Sequence, residues 1–120
     1  MRTVEAYLQA HFGEPVSTER LASSAGMSPR TFTRRFKAAT GRMPAAYLQA
    51  LRIAAAKAML ERGEGPLQRV SERAGYDDLA FFRALFKRET GMTPGEYRAH
   101  FAPLRIAGEA VLEGVGPRSC

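Results

Sequence analysis

The chain has 120 residues, 18 Lys and Arg against 12 Asp and Glu, and a formal net charge of +6, with a sequence pI of about 10.1. Its 45% hydrophobic and 25% charged residues suit one small globular domain or two subdomains, and no apolar run approaches the roughly 20 residues of a membrane span. The single cysteine, Cys120, excludes an internal disulfide, argues against zinc and fits a reducing cytoplasm, while the basic excess favours a polyanionic partner, nucleic acid before an acidic membrane.

The opening stretch MRTVEAYLQAHF has neither an apolar run nor a small-residue cleavage site, so no secretory signal is expected. Val4, Leu8 and Phe12 recur at i, i+4 and i+8 and predict one face of a short first helix, which GEPVST breaks. Ser17 is placed to cap a second helix to about Ala25, with Glu19 in its first turn and Leu21 and Ala22 inward. Gly26 ends that helix in a left-handed conformation. Ser28-Pro29 joins an N-cap serine to a first-turn proline, and a third helix runs to about Thr40 and stops at Gly41. Pro44 opens a longer fourth helix, PAAYLQALRIAAAKAMLER, rich in strong helix formers. Its expected apolar stripe is Tyr47, Leu51, Ala55 with Leu48, Ala55, Met59, and Gly63–Pro66 ends it.

The pattern then restarts. Leu67–Ala74 is a fifth helix and Gly75 its turn; Asp77 or Asp78 caps a sixth from about Leu79 to Thr90, which Gly91 stops. Thr93-Pro94-Gly95-Glu96 has the make-up of a capping box at the head of a last helix over roughly Pro94–Phe101. Beyond Pro103 a Gly-rich tail is expected to fray, with Glu109–Glu113 able to form a short helix. No alternating β-rich segment occurs, so the expected fold class is all-α with about seven helices.

FKAATGRMPAAY at Phe36–Tyr47 returns as FKRETGMTPGEY at Phe86–Tyr97. The longer unit is LASSAGMSPRTFTRRFKAATGRMP in the first copy and VSERAGYDDLAFFRALFKRETGMTP in the second. Each is helix, glycine turn, helix, stop and proline: a helix-turn-helix, whose second helix is the one offered to a DNA major groove. The charge is uneven, with eight Lys/Arg against three Asp/Glu in Met1–Arg52 and six against five in Gly65–Phe101.

At about 100° per residue, Phe32, Phe36 and Ala39 fall on one side of the third helix and Arg30, Thr33, Arg34 and Lys37 on the other. Arginine can donate two bonds to guanine O6 and N7, and threonine can bond or touch a thymine methyl. In the sixth helix Phe82 and Phe86 point inward, flanked by Leu79 and Leu85, and the opposite face is Ala80, Arg83, Ala84 and Lys87. Phe81 lies to one side: packing beneath the turn is the ordinary fate of an aromatic, and contact with a thymine methyl or sugar is the alternative.

With these residues the chain resembles the DNA-binding domain of the AraC/XylS family of bacterial transcription regulators, from Val4 to about Phe101. The most diagnostic stretch is AGYDDLAFFRALFKRETGMTPGEYRAHF, and MSPRTFTRRFKAATGRMPAAYLQALR is similar in style to the GlxA-like subgroup. Members of that subgroup carry an upstream amidotransferase-related domain, so the chain is expected to be an excised C-terminal domain. The resemblance implies a tandem, homeodomain-like fold: a first subdomain at 1–43, a linker helix at 44–63, a second subdomain at 64–102 and a tail at 103–120. It implies base contacts from Arg30, Thr33 and Arg34 in the first copy. In the second they come from Leu79, Ala80, Phe81 and Ala84, with Arg83 standing one place before the arginine the family often has. Arg35, Lys37, Arg42 and Lys87 are expected on phosphates.

A helix of about 19 residues spans roughly 28 Å at 1.5 Å per residue, against about 34 Å between successive major-groove faces. The expected function is therefore sequence-specific DNA binding for transcription regulation, with helices at about 29–40 and 79–90 in adjacent major grooves. The rival is a helical protein-interaction module without specific readout. Catalysis is not expected, because His11 and His100 lie on different terminal helices and Asp77–Asp78 sits where a cap belongs. No cofactor or membrane partner is expected; double-stranded DNA, RNA polymerase and an N-terminal effector or dimerisation domain are the expected partners, in the cytoplasm on the nucleoid.

Overall fold

The computed structural model describes residues 1–102. Their order is α1 (Arg2–His11), α2 (Thr18–Ser24), α3 (Pro29–Thr40), α4 (Pro44–Glu61), α5 (Leu67–Ala74), α6 (Leu79–Thr90) and α7 (94–102), with no strand among them. The helix considered at Glu109–Glu113, the tail from Pro103 and Cys120 lie outside the described residues. Two compact units divide inside α4, the first being Met1–Ala54 and the second starting at Ala55.

The first unit is built around Val4, Leu8, Leu21, Ala22, Phe32 and Phe36, with Tyr47, Leu48 and Leu51 of α4 packed against them. Local signals set its helices. The Ser17 hydroxyl accepts from Arg20 N at 3.3 Å and the Ser28 hydroxyl from Thr31 N at 3.2 Å, each satisfying a helix-start donor. Gly26, at φ 72°, turns the chain so that Met27 N donates to Ala22 O at 2.9 Å, and α2 then packs on α3. Phe36 meets Phe32 at 5.7 Å and Tyr47 edge-on at 5.2 Å. Arg52 ties down the α1–α2 connection, donating to Phe12 O at 2.7 Å and Glu14 O at 3.0 Å.

The second unit repeats these devices. Asp78, rather than Asp77, caps α6 by accepting from Phe81 N at 3.1 Å. Tyr76 N donates to Ser71 O at 2.9 Å, as Met27 does to Ala22, and the buried Ser71 hydroxyl adds a bond to Tyr76 O at 2.7 Å. Phe86 meets Tyr97 edge-on at 5.3 Å, as Phe36 meets Tyr47. The threonine before each stop makes the same pair of bonds: Thr40 to Phe36 O and Arg42 O, Thr90 to Phe86 O and Met92 O. Thr93 and Glu96 close the expected capping box, at 2.8 and 3.1 Å, and the Thr93 backbone N–H holds the Glu96 carboxyl below the usual range. Tyr97 donates to Glu61 at 2.6 Å; burial, then the Glu61 carboxylate, pushes its phenol up to about 12, so it remains a donor at neutral pH.

Three packing expectations change. Phe12 is the C-cap of α1 and only half-buried, because the helix ends before reaching it. Ala39 is exposed, since its methyl is too short to reach the core that Phe32 and Phe36 fill. In α4 the buried residues are Pro44, Ile53, Ala56, Met59 and Leu60, of which only Met59 belongs to the expected stripe. Alanine surrounds this helix, and small apolar residues on every side leave periodicity nothing to select.

Ser28→Ala removes the cap of α3 while leaving Pro29 in place. It is expected to cost about 0.5–2 kcal/mol, read as a lower urea midpoint at unchanged slope.

Candidate nucleic-acid interface

Phe32 and Phe36 are fully buried, and that anchoring fixes which side of α3 faces outward. Arg30, Arg34 and Lys37 are exposed on the opposite side, Thr33 is half-buried between them, and Arg35 and Arg42 are exposed at the edges. Among the described residues none of these five cationic groups meets a carboxylate; the ion pairs formed there are Arg62–Glu64, Arg73–Glu64 at 3.2 Å and Arg88–Glu89 at 3.3 Å, all in the second unit. Arg30 and Arg34 stand at i, i+4, where like charges repel by a few tenths of a kcal/mol. Their positive charge is not offset by a carboxylate among the described residues.

On α6, Phe82, Leu85 and Phe86 are buried and Leu79 is half-buried. Ala80, Arg83, Ala84 and Lys87 are exposed opposite them, as the sequence predicts. Phe81 does not pack beneath the turn: it is 55% exposed. The half-buried Tyr76 meets Phe82 at 5.9 Å and Phe81 at 5.9 Å, both rings tilted against it. Thr31, absent from the expected contacts, occupies in α3 the place of Phe81 in α6, and the Ser28 hydroxyl donates to its Oγ1 at 3.1 Å. Aligning the two copies on Phe32 and Phe82 is the signal that finds it.

The side chains of catalytic type do not converge. His11 Nδ1 lies 2.9 Å from Tyr7 O and its ring stacks on Tyr7, while His100 meets Phe101 edge-on at 5.2 Å. Among the described residues no group of three His, Cys, Asp or Glu is placed to hold a metal, and no helix is long and apolar enough to cross a membrane. A cavity of about 480 Å³ beside α1 and α2 is lined by Tyr7, Val16, Arg20 and Leu21 among others, with no acid–base pair in it.

A family described as helix-turn-helix domain matches residues 21–100, which hold α3 to α6 entire. The chain is similar to the DNA-binding domain of AdpA, a global transcriptional factor solved with a target DNA: 34% identity, TM-score 0.83, 89% of this chain and 96% of that one. A transcriptional regulator of AraC type from Chromobacterium violaceum is 28% identical, with a TM-score of 0.73 over 81% of this chain and 87% of that one. The chain belongs to the AraC-type helix-turn-helix family. Its fold is therefore the tandem one, with α2–α3 and α5–α6 as the two helix-turn-helix pairs. The transcriptional activator RhaS of Escherichia fergusonii is 37% identical over 93 residues, 78% of this chain but 34% of that protein. The chain spans about a third of the length of the curated relatives it matches.

Proposed function

We propose that this AraC-type chain binds double-stranded DNA sequence-specifically to regulate transcription, and that its role is recognition rather than catalysis. The observation that carries this is the outward face of α3: Arg30, Arg34 and Lys37 exposed around Thr33, without a carboxylate partner among the described residues. Arg30, Thr33 and Arg34 read base edges, and Arg35, Lys37 and Arg42 hold phosphates. In the second unit Ala80, Phe81 and Ala84 face bases, while Arg83, one place before the arginine the family often has, joins Lys87 in anchoring the helix mainly through the backbone. On this reading the subdomains are residues 1–43 and 64–102, joined by 44–63, and α3 and α6 enter adjacent major grooves. The site is cytoplasmic and nucleoid-associated, with RNA polymerase and an N-terminal effector or dimerisation domain as further partners. The stretch MSPRTFTRRFKAATGRMPAAYLQALR supports placement near the GlxA-like subgroup.

Fluorescence anisotropy against a randomised duplex pool across salt concentration tests the reading. Binding should fall linearly in log–log form with a steep slope, and the bound pool should converge on a sequence. No binding at low salt would reject it in favour of a protein-interaction module. Lys37→Ala should weaken binding to every duplex alike and reduce the salt slope by about 1. A loss confined to the selected sequence would instead make Lys37 a base reader.

A further inference from the structure

The outward faces of α3 and α6 differ in chemistry at matched positions. With Phe82 aligned to Phe32, Ala80 and Ala84 stand where α3 has Arg30 and Arg34, and Phe81 stands where it has Thr31. Ala80 and Ala84 are exposed one turn apart, and Phe81 is 55% exposed on their flank. The ring has one aromatic neighbour besides its helix, Tyr76 at 5.9 Å, which in turn meets the buried Phe82 at 5.9 Å. Beside this apolar strip Arg83 and Lys87 are exposed, and neither forms a close ion pair among the described residues, although Lys87 is near enough to the Glu96 carboxylate to help hold it ionised.

A partner of this face must offer apolar groups and negative charge within a few ångströms of each other. An apolar protein groove would strand two cations, and an acidic surface alone would leave the ring wet. A thymine-bearing major groove supplies both, with 5-methyl groups on its floor and phosphates along its rims. Alanine and phenylalanine side chains carry no hydrogen-bond donor or acceptor, so they cannot read the polar code of a base edge. What they can sense is the methyl group.

We propose that α6 recognises thymine by its 5-methyl group, with Phe81, Ala80 and Ala84 as the receptor and Arg83 and Lys87 on the flanking phosphates. The inference rests on the DNA-binding function proposed above and divides it: α3 discriminates by hydrogen bonds, α6 by methyl contact. A 5-methylcytosine, whose methyl projects into the same groove, would then partly replace thymine at that step.

The experiment uses the full chain and the operator selected from the random pool. Each thymine is replaced in turn by deoxyuridine, which removes only the methyl, and Kd is measured for the wild type, Phe81→Ala and Arg34→Ala. At one or two thymines the wild-type Kd should rise about fourfold, the worth of one buried methylene-sized group. Phe81→Ala, a change at an exposed position, should bind the thymine and uracil duplexes alike, while Arg34→Ala keeps the difference. A tightly bound operator indifferent to uracil at every thymine, or one in which Phe81→Ala abolishes the uracil effect at none of them, overturns methyl reading by this site and leaves DNA binding standing. A chain that selects no sequence overturns both.

Discussion

Phe36→Ala should be the most damaging single substitution in the first unit, lowering its stability by about 3–5 kcal/mol. The ring is fully buried and touches Phe32 at 5.7 Å and Tyr47 at 5.2 Å, so truncation removes one aromatic from a chain of three and leaves a cavity where they met. Total stabilities of small domains run to roughly 5–15 kcal/mol, so a loss of this size takes a large share. Urea unfolding followed by circular dichroism measures it. DNA binding should weaken on every duplex as well, because Phe36 is what turns Arg34 and Lys37 outward. A loss below about 1 kcal/mol would mean that the ring is not packed into the core as described.

Arg34→Ala should cost about 1–3 kcal/mol of specific binding and relax the preference at one base pair, with folding unchanged. Arg34 is exposed and engages no carboxylate among the described residues, so its removal breaks no ion pair there. It also relieves the repulsion with Arg30, which makes a stability loss the wrong sign for this variant. Competition binding against the selected operator and its single-base variants reads the effect. Equal weakening on all of them would reassign Arg34 to a phosphate.

Much of this was legible in the residues. Ser17, Ser28, Thr93, Gly26, Gly41 and Gly91 mark helix ends within a residue or two, because caps and left-handed stops are satisfied by neighbours in the chain. The duplicated Phe–Phe spacing of four found Phe32, Phe36, Phe82 and Phe86 in the cores, since a helix puts such pairs on one face. Helix α4 was legible as a helix but not in its buried face, and Asp77 and Asp78 were equivalent caps until the turn geometry chose Asp78. Phe81 and Ala39 were misplaced for related reasons. Whether a side chain near a core enters it depends on its reach and on what its neighbours already fill: the Ala39 methyl is too short to reach past Phe32 and Phe36, and Tyr76 packs beside Phe82.

The helices, the duplicated helix-turn-helix and the outward side of each second helix could be read from residue order alone, because all three follow from interactions a few residues apart and a fixed turn per residue. Which outward groups stay unpaired follows only from folding. Arg73 reaches Glu64 across nine positions, while Arg30, Arg34 and Lys37 face no carboxylate among the described residues, and Phe81 stays 55% exposed beside Tyr76. A charge count cannot distinguish a paired guanidinium from one awaiting a phosphate, since pairing depends on where folding brings the carboxylates.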